Sequence, residues 1–188
     1  MQLHIRQANL SDANDIADIL ADGWARAYSG FMPAEILAPR ADRDLRRKEI
    51  AAFMAEDLDP AREALFVAED RHEVAGFVHC MLGDKADLGA GGHINLIYVR
   101  EIASGRGIGR RLLTEGADWL ADHTRDPIAI AAYEDNPFHP FYAHLGSQLA
   151  KTIPVRIGEF ECRSVIYLWP SPLALARQAR LDRSGRLN

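Results

Sequence analysis

Ser104-Gly105-Arg106-Gly107-Ile108-Gly109-Arg110-Arg111-Leu112-Leu113 is the stretch that decides how this chain is read. Its glycines stand at alternate positions. Ahead of them lie residues 93–99, which read as a strand, and a polar connection, 100–106. Behind them, Ile108, Leu112, Leu113, Gly116, Ala117 and Leu120 fall on one helical stripe of residues 107–123. Strand, glycine loop, helix is the order a phosphate site needs, because residues without Cβ let backbone N–H groups converge on an anion at a helix N-terminus. Arg106, Arg110 and Arg111 place formal charge nearby. A tight turn also needs glycine for conformational reasons alone, so the string must be compared with known phosphate loops. It is not a Walker A loop, since no GxxxxGK[ST] string occurs in the chain. It is not a dinucleotide fingerprint either: counted from Gly105 the sixth residue is Arg110, and counted from Gly107 it is Leu112.

Outward from this loop the chain alternates strands and helices. Leu3 and Ile5 alternate with His4 and Arg6 in a first strand, and Ser11 or Asp12 then offers an N-cap for a helix carrying Ala13, Ile16, Ala17, Leu20, Trp24 and Tyr28. Pro33 and Pro39 punctuate a connection, and residues 45–57 read as a second amphipathic helix. Residues 65–68 and 74–82 form a hairpin around a polar turn, and the glycine-rich segment 83–92 reads as a loop able to line a site. After the glycine helix come a buried strand at 128–132, a short helix from Pro137 through His144 closed by Gly146, and a closing hairpin of 151–157 and 160–169. The pattern predicts an α/β fold, a mixed twisted sheet of about seven strands with helices on both faces. It fills one domain, 1–169, followed by an Arg-rich tail, 170–188, in which Arg177, Arg180, Arg183 and Arg186 face Asp182.

Composition narrows the function classes. With 188 residues, 22 Lys plus Arg against 27 Asp plus Glu, and a net charge of −5, the chain lacks the basic excess of a wholesale nucleic-acid or anionic-membrane binder. Its longest apolar runs fall far short of the ~20 residues of a membrane span, and its N-terminus has no apolar signal core, so a cytoplasmic protein is expected. Cys80 and Cys162 sit in strand-like runs with no CxxC spacing, which reads as two packed thiols and no metal site.

The run Ile97-Tyr98-Val99 through Leu113 resembles the acyl-CoA-binding motif of the GNAT acetyltransferase superfamily. Asn136-Pro137-Phe138-His139-Pro140-Phe141-Tyr142-Ala143-His144-Leu145-Gly146 resembles that family's second signature, and Trp24, Tyr28 and Gly30 resemble a pattern at the end of the first helix in small bacterial members. The resemblance spans residues 3–169 and implies acetyl-CoA as cosubstrate, a primary amine as acceptor, and direct attack of the amine on the thioester. It implies cofactor contacts from Ile97, Tyr98, Val99, Ser104, Gly105, Arg106, Gly107, Ile108, Gly109, Arg110, Asn136 and Tyr142. Trp24, Tyr28, His79, Asn95 and Tyr133 become candidates for the acceptor pocket. The chain departs from the family at Ser104, where a longer Gln or Arg is usual, at Glu101, often Pro, and at His93, where many relatives carry Glu. A non-catalytic acyl-CoA sensor on the same fold is the alternative, and a homodimer stays open.

Acyl transfer to an amine needs a free amine, a donor for the oxyanion and an acid for the departing thiolate. Backbone N–H groups of 97–99 suit the oxyanion; on spacing alone Tyr142 reads first as an aromatic anchor beside Phe138 and Phe141, and it is the resemblance that implies the role of acid. Strict alternation would put His93, Asn95, Ile97 and Val99 on one strand face, making His93 a candidate base with an imidazole near ~6.5. His93 stands ~13 Å along the strand from Ile97, which implies transfer through water, held by Asn95.

Overall fold

The computed structural model describes residues 3–83 and 89–181. The centre of the predicted loop 83–92 and the last residues of the Arg-rich tail lie outside them. Seven strands, β1 (Leu3–Gln7), β2 (Glu63–Asp70), β3 (Glu73–Leu82), β4 (Gly92–Val99), β5 (Ile128–Tyr133), β6 (Gln148–Ile157) and β7 (Phe160–Trp169), form one sheet in the order β1-β2-β3-β4-β5-β7-β6. Every neighbouring pair is antiparallel except β4 and β5, whose parallel pairing requires the crossover that α4 (Ile108–His123) supplies.

Helices cover both faces, as the sequence predicts. On one, α4 and α6 (Pro172–Arg180) press Leu112, Leu113, Leu120, Leu175 and Ala176 against Val78, Cys80, Ile94, Ile128 and Ile130. The described part of the tail is thus a helix packed on α4. On the other face, α1 (Ala13–Tyr28) lays Ile16, Ile19 and Leu20 on Leu65, Val67 and Phe77, with Ile50 of α3 (Arg43–Ala52) behind. Fully burying one such Leu or Ile contributes ~1.5–3 kcal/mol, so these faces fix which side of each strand turns inward. Among the described residues no helix is long and apolar enough to cross a membrane.

Local differences from the expected elements have physical causes. Asp12 holds the N-cap position of α1 without capping it: the side-chain bonds lie one turn earlier, where Asn9 Oδ1 accepts the Ser11 N–H (2.9 Å) and Asp12 accepts the Asn9 N–H (2.8 Å). Asp12 is also gripped by the Arg6 guanidinium at 2.7 and 2.8 Å, which holds its carboxyl below the usual range. Pro39 lies inside α2 (Ala34–Ala41), where the expected connection would have broken; in a two-turn helix its missing N–H removes one bond, and the Arg40 side chain donates to the Ile36 carbonyl at 2.9 Å. The helix expected over 45–57 starts two residues earlier, capped by Asp42, and loosens after Ala52 into a wide turn closed by Leu58 N–H to the Phe53 carbonyl, 2.9 Å.

Candidate active site

A cleft opens where the parallel pair comes apart. β4 and β5 are matched only at Gly92↔Ile128, His93↔Ala129 and Ile94↔Ile130, although β4 runs on to Val99 and β5 to Tyr133. Each strand keeps its outer neighbour, β3 or β7, and diverges from the other. The β4 backbone beyond Ile94 is therefore presented to the cleft along its β5 side. A one-residue bulge contributes: His79 pairs with Leu96 and Cys80 with Ile94, leaving Asn95 unmatched. The bulge overturns the expected alternation. Ile94, Ile97 and Val99 pack on the α4 face, whereas Leu96 and Tyr98 pack on the α1 face. His93, preceding Ile94, turns to the α1 side and does not share a face with Ile97.

The cleft measures about 2150 Å³, well above the ~300–1,000 Å³ of a single drug-sized ligand site. It has room for an extended cofactor and a second substrate. Its walls include Ile97, Tyr98, Val99, the whole loop 104–110, Asn136 and Tyr142, together with Trp24, Tyr28, Asn95 and Tyr133. The sequence-predicted residues outside that lining are His79 and His93.

At one end the glycine loop feeds α4. Gly105 and Gly107 adopt φ of +77° and +81°, where a side chain is strained, and a Cβ on either would meet nothing within 4 Å. Gly107 is the N-cap and brings no side-chain bond, so the first N–H groups of α4 face the cleft uncapped. The arginines that sequence placed here are more committed than expected. Arg106 pairs with Asp70, Arg110 donates to the carbonyls of Gln178 and Leu181 (both 3.1 Å), and Arg111 donates to the Leu3 carbonyl (3.1 Å). They anchor the loop and α6 while leaving positive charge around the helix end.

At the other end Trp24, Tyr28 and Tyr133 form an edge-to-face triad, with ring centroids 4.7, 5.4 and 6.2 Å apart. Asn136 is buried between the two regions: its Oδ1 accepts the Phe138 N–H (2.8 Å), and its Nδ2 donates to the Tyr28 hydroxyl (3.2 Å). The Tyr98 ring lies against the backbone of α1 at Gly23, where a Cβ would stand 2.2 Å from Cδ1. Neither Gly23 nor Arg26 is a sequence candidate, yet both shape the cleft: Arg26 donates to the Val99 carbonyl (3.2 Å) and covers the Phe138 ring at 5.3 Å. Neither stands at same-face helical spacing from Trp24, so the sequence carried no signal for them.

Tyr142, on α5 (His139–Ala143), is buried beside Tyr167, ring centroids 5.3 Å apart. Burial pushes its phenol up, with smaller contributions from Tyr28 and Tyr167, so it stays protonated at neutral pH. Burial likewise raises Tyr28, Tyr98 and Tyr133. Behind the wall, Asn95 contacts His79 (Nδ2 to Nδ1, 3.2 Å), and His79 Nε2 meets Glu63 Oε2 at 2.8 Å. Glu63 was not a sequence candidate; nothing but its strand partnership with β3 brings it there. No activated thiol faces the cleft among the described residues, since burial raises Cys80 and Cys162, and neither lines it.

Known proteins share this architecture. Coenzyme A-bound PaiA N-acetyltransferase from Thermoplasma acidophilum superposes with a TM-score of 0.65 at 15% identity, covering 90% of this chain and all of that one. YncA from Salmonella typhimurium, solved with its cofactor acetyl-CoA, gives 0.62 at 17% identity, covering 90% and 94%. In sequence the chain is 29% identical over 174 residues to YuaI of Bacillus subtilis (strain 168), which is described as an uncharacterized N-acetyltransferase, covering 91% of this chain and 95% of that protein. A sequence model of the acetyltransferase (GNAT) family matches residues 23–147, two thirds of the chain and the whole of the cleft's loop and α5. This chain belongs to the acetyltransferase (GNAT) family.

Proposed function

We propose that the protein moves an acetyl group from acetyl-CoA to a primary amine by direct attack on the thioester. The observation that carries this reading is the parting of β4 from β5 immediately beside the uncapped N-terminus of α4. One feature offers backbone donors at an acyl group and the other offers them to a pyrophosphate, and a single extended thioester spans both. The N–H groups of 105–110 hold the phosphates. The opened edge of β4 at 97–99 takes the pantetheine arm and the thioester oxygen. Asn136, already bonded to Tyr28, orients the arm from the α5 side.

The acceptor enters past Trp24, Tyr28 and Tyr133. Because an alkyl amine near pKa ~10 arrives as ammonium, it must lose a proton before attack. Asn95 is the polar side chain on the wall there and covers His79; a water at Asn95 takes the proton from the ammonium and passes it to His79 Nδ1 when the Asn95 amide turns to offer its oxygen, and Glu63 at Nε2 stabilises the imidazolium that forms. His93 lies two residues deeper along β4, where β4 and β5 are still paired. As the C–S bond breaks, Tyr142 gives its proton to the thiolate. Burial keeps the Tyr142 phenol protonated until the thiolate forms.

Tyr142→Phe tests the catalytic reading. It keeps the ring against Tyr167 and deletes the proton, so acetyl-CoA affinity should persist while turnover falls ~10²-fold. Wild-type turnover would return Tyr142 to the role of aromatic anchor. Unaltered binding with no turnover in the wild-type protein, across a broad amine panel, would favour a sensor of acyl-CoA.

A further inference from the structure

Resting on the acetyl-transfer reading, we infer that the acceptor is an amine that also carries a carboxylate on an apolar or aromatic framework, read by Arg40, which stands against the Trp24 ring just outside the cleft lining at the acceptor end. Apart from the neutral Asn95 and Ser164, the cleft wall at the acceptor end is made of rings and aliphatic groups: Trp24, Tyr28, Leu96, Tyr133, Ile153 and Val155. Glu115, on α4 at the phosphate end, is the one acidic residue lining the cleft among the described residues. A polycation such as a polyamine, an aminoglycoside or a lysine-rich peptide would find no carboxylate there to replace its hydration.

Arg40 supplies the opposite charge. It sits in the last turn of α2, half-buried, with its guanidinium 5.2 Å from the centre of the Trp24 ring. Its Nη1 donates to the Ile36 carbonyl at 2.9 Å, which pins the side chain; its Nε and Nη2 make no hydrogen bond and it joins no ion pair among the described residues. The charge reaches the pocket, for it pulls the Tyr133 phenol downward against the effect of burial. The carboxylates in this region do not neutralise it: Glu49 is paired with Arg46 and Glu134 with Arg163, and Asp135 is exposed and acts on Cys162. Ile36 and Leu37 of the same helix and Ile157 of β6 pack around Tyr28 and Tyr133. A guanidinium held at one end and stacked on an aromatic wall presents its remaining N–H groups as a fork suited to a carboxylate.

The test is a thiol-release assay with acetyl-CoA comparing matched pairs: leucine with isopentylamine, phenylalanine with phenethylamine, and each amino acid with its amide, beside spermidine, kanamycin and a lysine peptide. The expected result is acetylation of the carboxylate-bearing members with kcat/KM at least tenfold above their decarboxylated or amidated partners. In Arg40→Gln the KM for the amino acids should rise at least tenfold with kcat little changed, the decarboxylated amines should be unaffected, and Arg40→Lys should recover part of the loss. Equal use of both members of a pair, preference for spermidine, kanamycin or the lysine peptide, or an Arg40→Gln variant with unaltered KM would overturn the inference while leaving acetyl transfer standing. Failure of the wild-type protein to acetylate any of these amines, with acetyl-CoA binding intact by calorimetry, would overturn both.

Discussion

Replacing Gly107 separates the backbone cradle from the rest of the site. Gly107 has φ of +81°, and a Cβ added there meets no atom of the protein within 4 Å. The substitution therefore carries no packing clash; its costs are the left-handed backbone, ~1–2 kcal/mol for a residue with a Cβ and more for a β-branched one, and occupation of the space in front of the α4 N-terminus. In a chain of 188 residues a loss of that size lowers Tm by ~2–8 °C and leaves the protein folded at room temperature. If a phosphate approaches the N–H groups of 107–110, the new methyl groups stand in its way, and losing even one charge-assisted bond of ~1.5–3 kcal/mol weakens binding about tenfold or more. Isothermal titration of Gly107→Val with acetyl-CoA should show at least that loss, and Gly107→Ala a smaller one. A folded Gly107→Val that binds acetyl-CoA like the wild type would refute the placement of the pyrophosphate.

Two further outcomes are expected. For proton removal, kcat/KM should climb through an acidic limb that His79→Ala displaces or abolishes and His93→Ala leaves in place; the reverse pattern would put the proton acceptor at His93. Gly23→Val drives a side chain into the Tyr98 ring, whose Cδ1 lies 2.2 Å from the added Cβ, so thermal denaturation should show a loss of ~1–3 kcal/mol from overpacking, and a melting curve like the wild type's would mean that α1 is not seated on β4 as described.

What could be read from sequence follows from which forces act locally. The loop 104–109 was legible because a backbone turning into a helix through positive φ leaves glycine as its trace, and the stripe Leu112, Leu113, Leu120 was legible because α4 buries one face. Tyr142 and Asn136 were legible as motif members, and both reach the cleft. The orientation of His93 was not legible. A bulge at Asn95 shifts the period of β4 by one residue, and nothing in the composition of 93–99 announces it. The roles of Arg106, Arg110 and Arg111 were hidden for another reason: their partners, Asp70, the end of α6 and Leu3, are distant in sequence, so charge near a helix N-terminus could be counted while its commitments could not. Glu63 and Arg40 were missed likewise, since each gains meaning only from a neighbour on another element, His79 in one case and Trp24 in the other.

The most direct test of the account is a crystal structure of the protein with acetyl-CoA. The account predicts the pyrophosphate on the N–H groups of 105–110, the thioester carbonyl within ~3 Å of a backbone N–H in the stretch 97–99, and the sulfur within hydrogen-bonding reach of the Tyr142 hydroxyl. Acetyl-CoA seated elsewhere, or a thioester held away from the parting of β4 and β5 with Tyr142 out of reach, would contradict it.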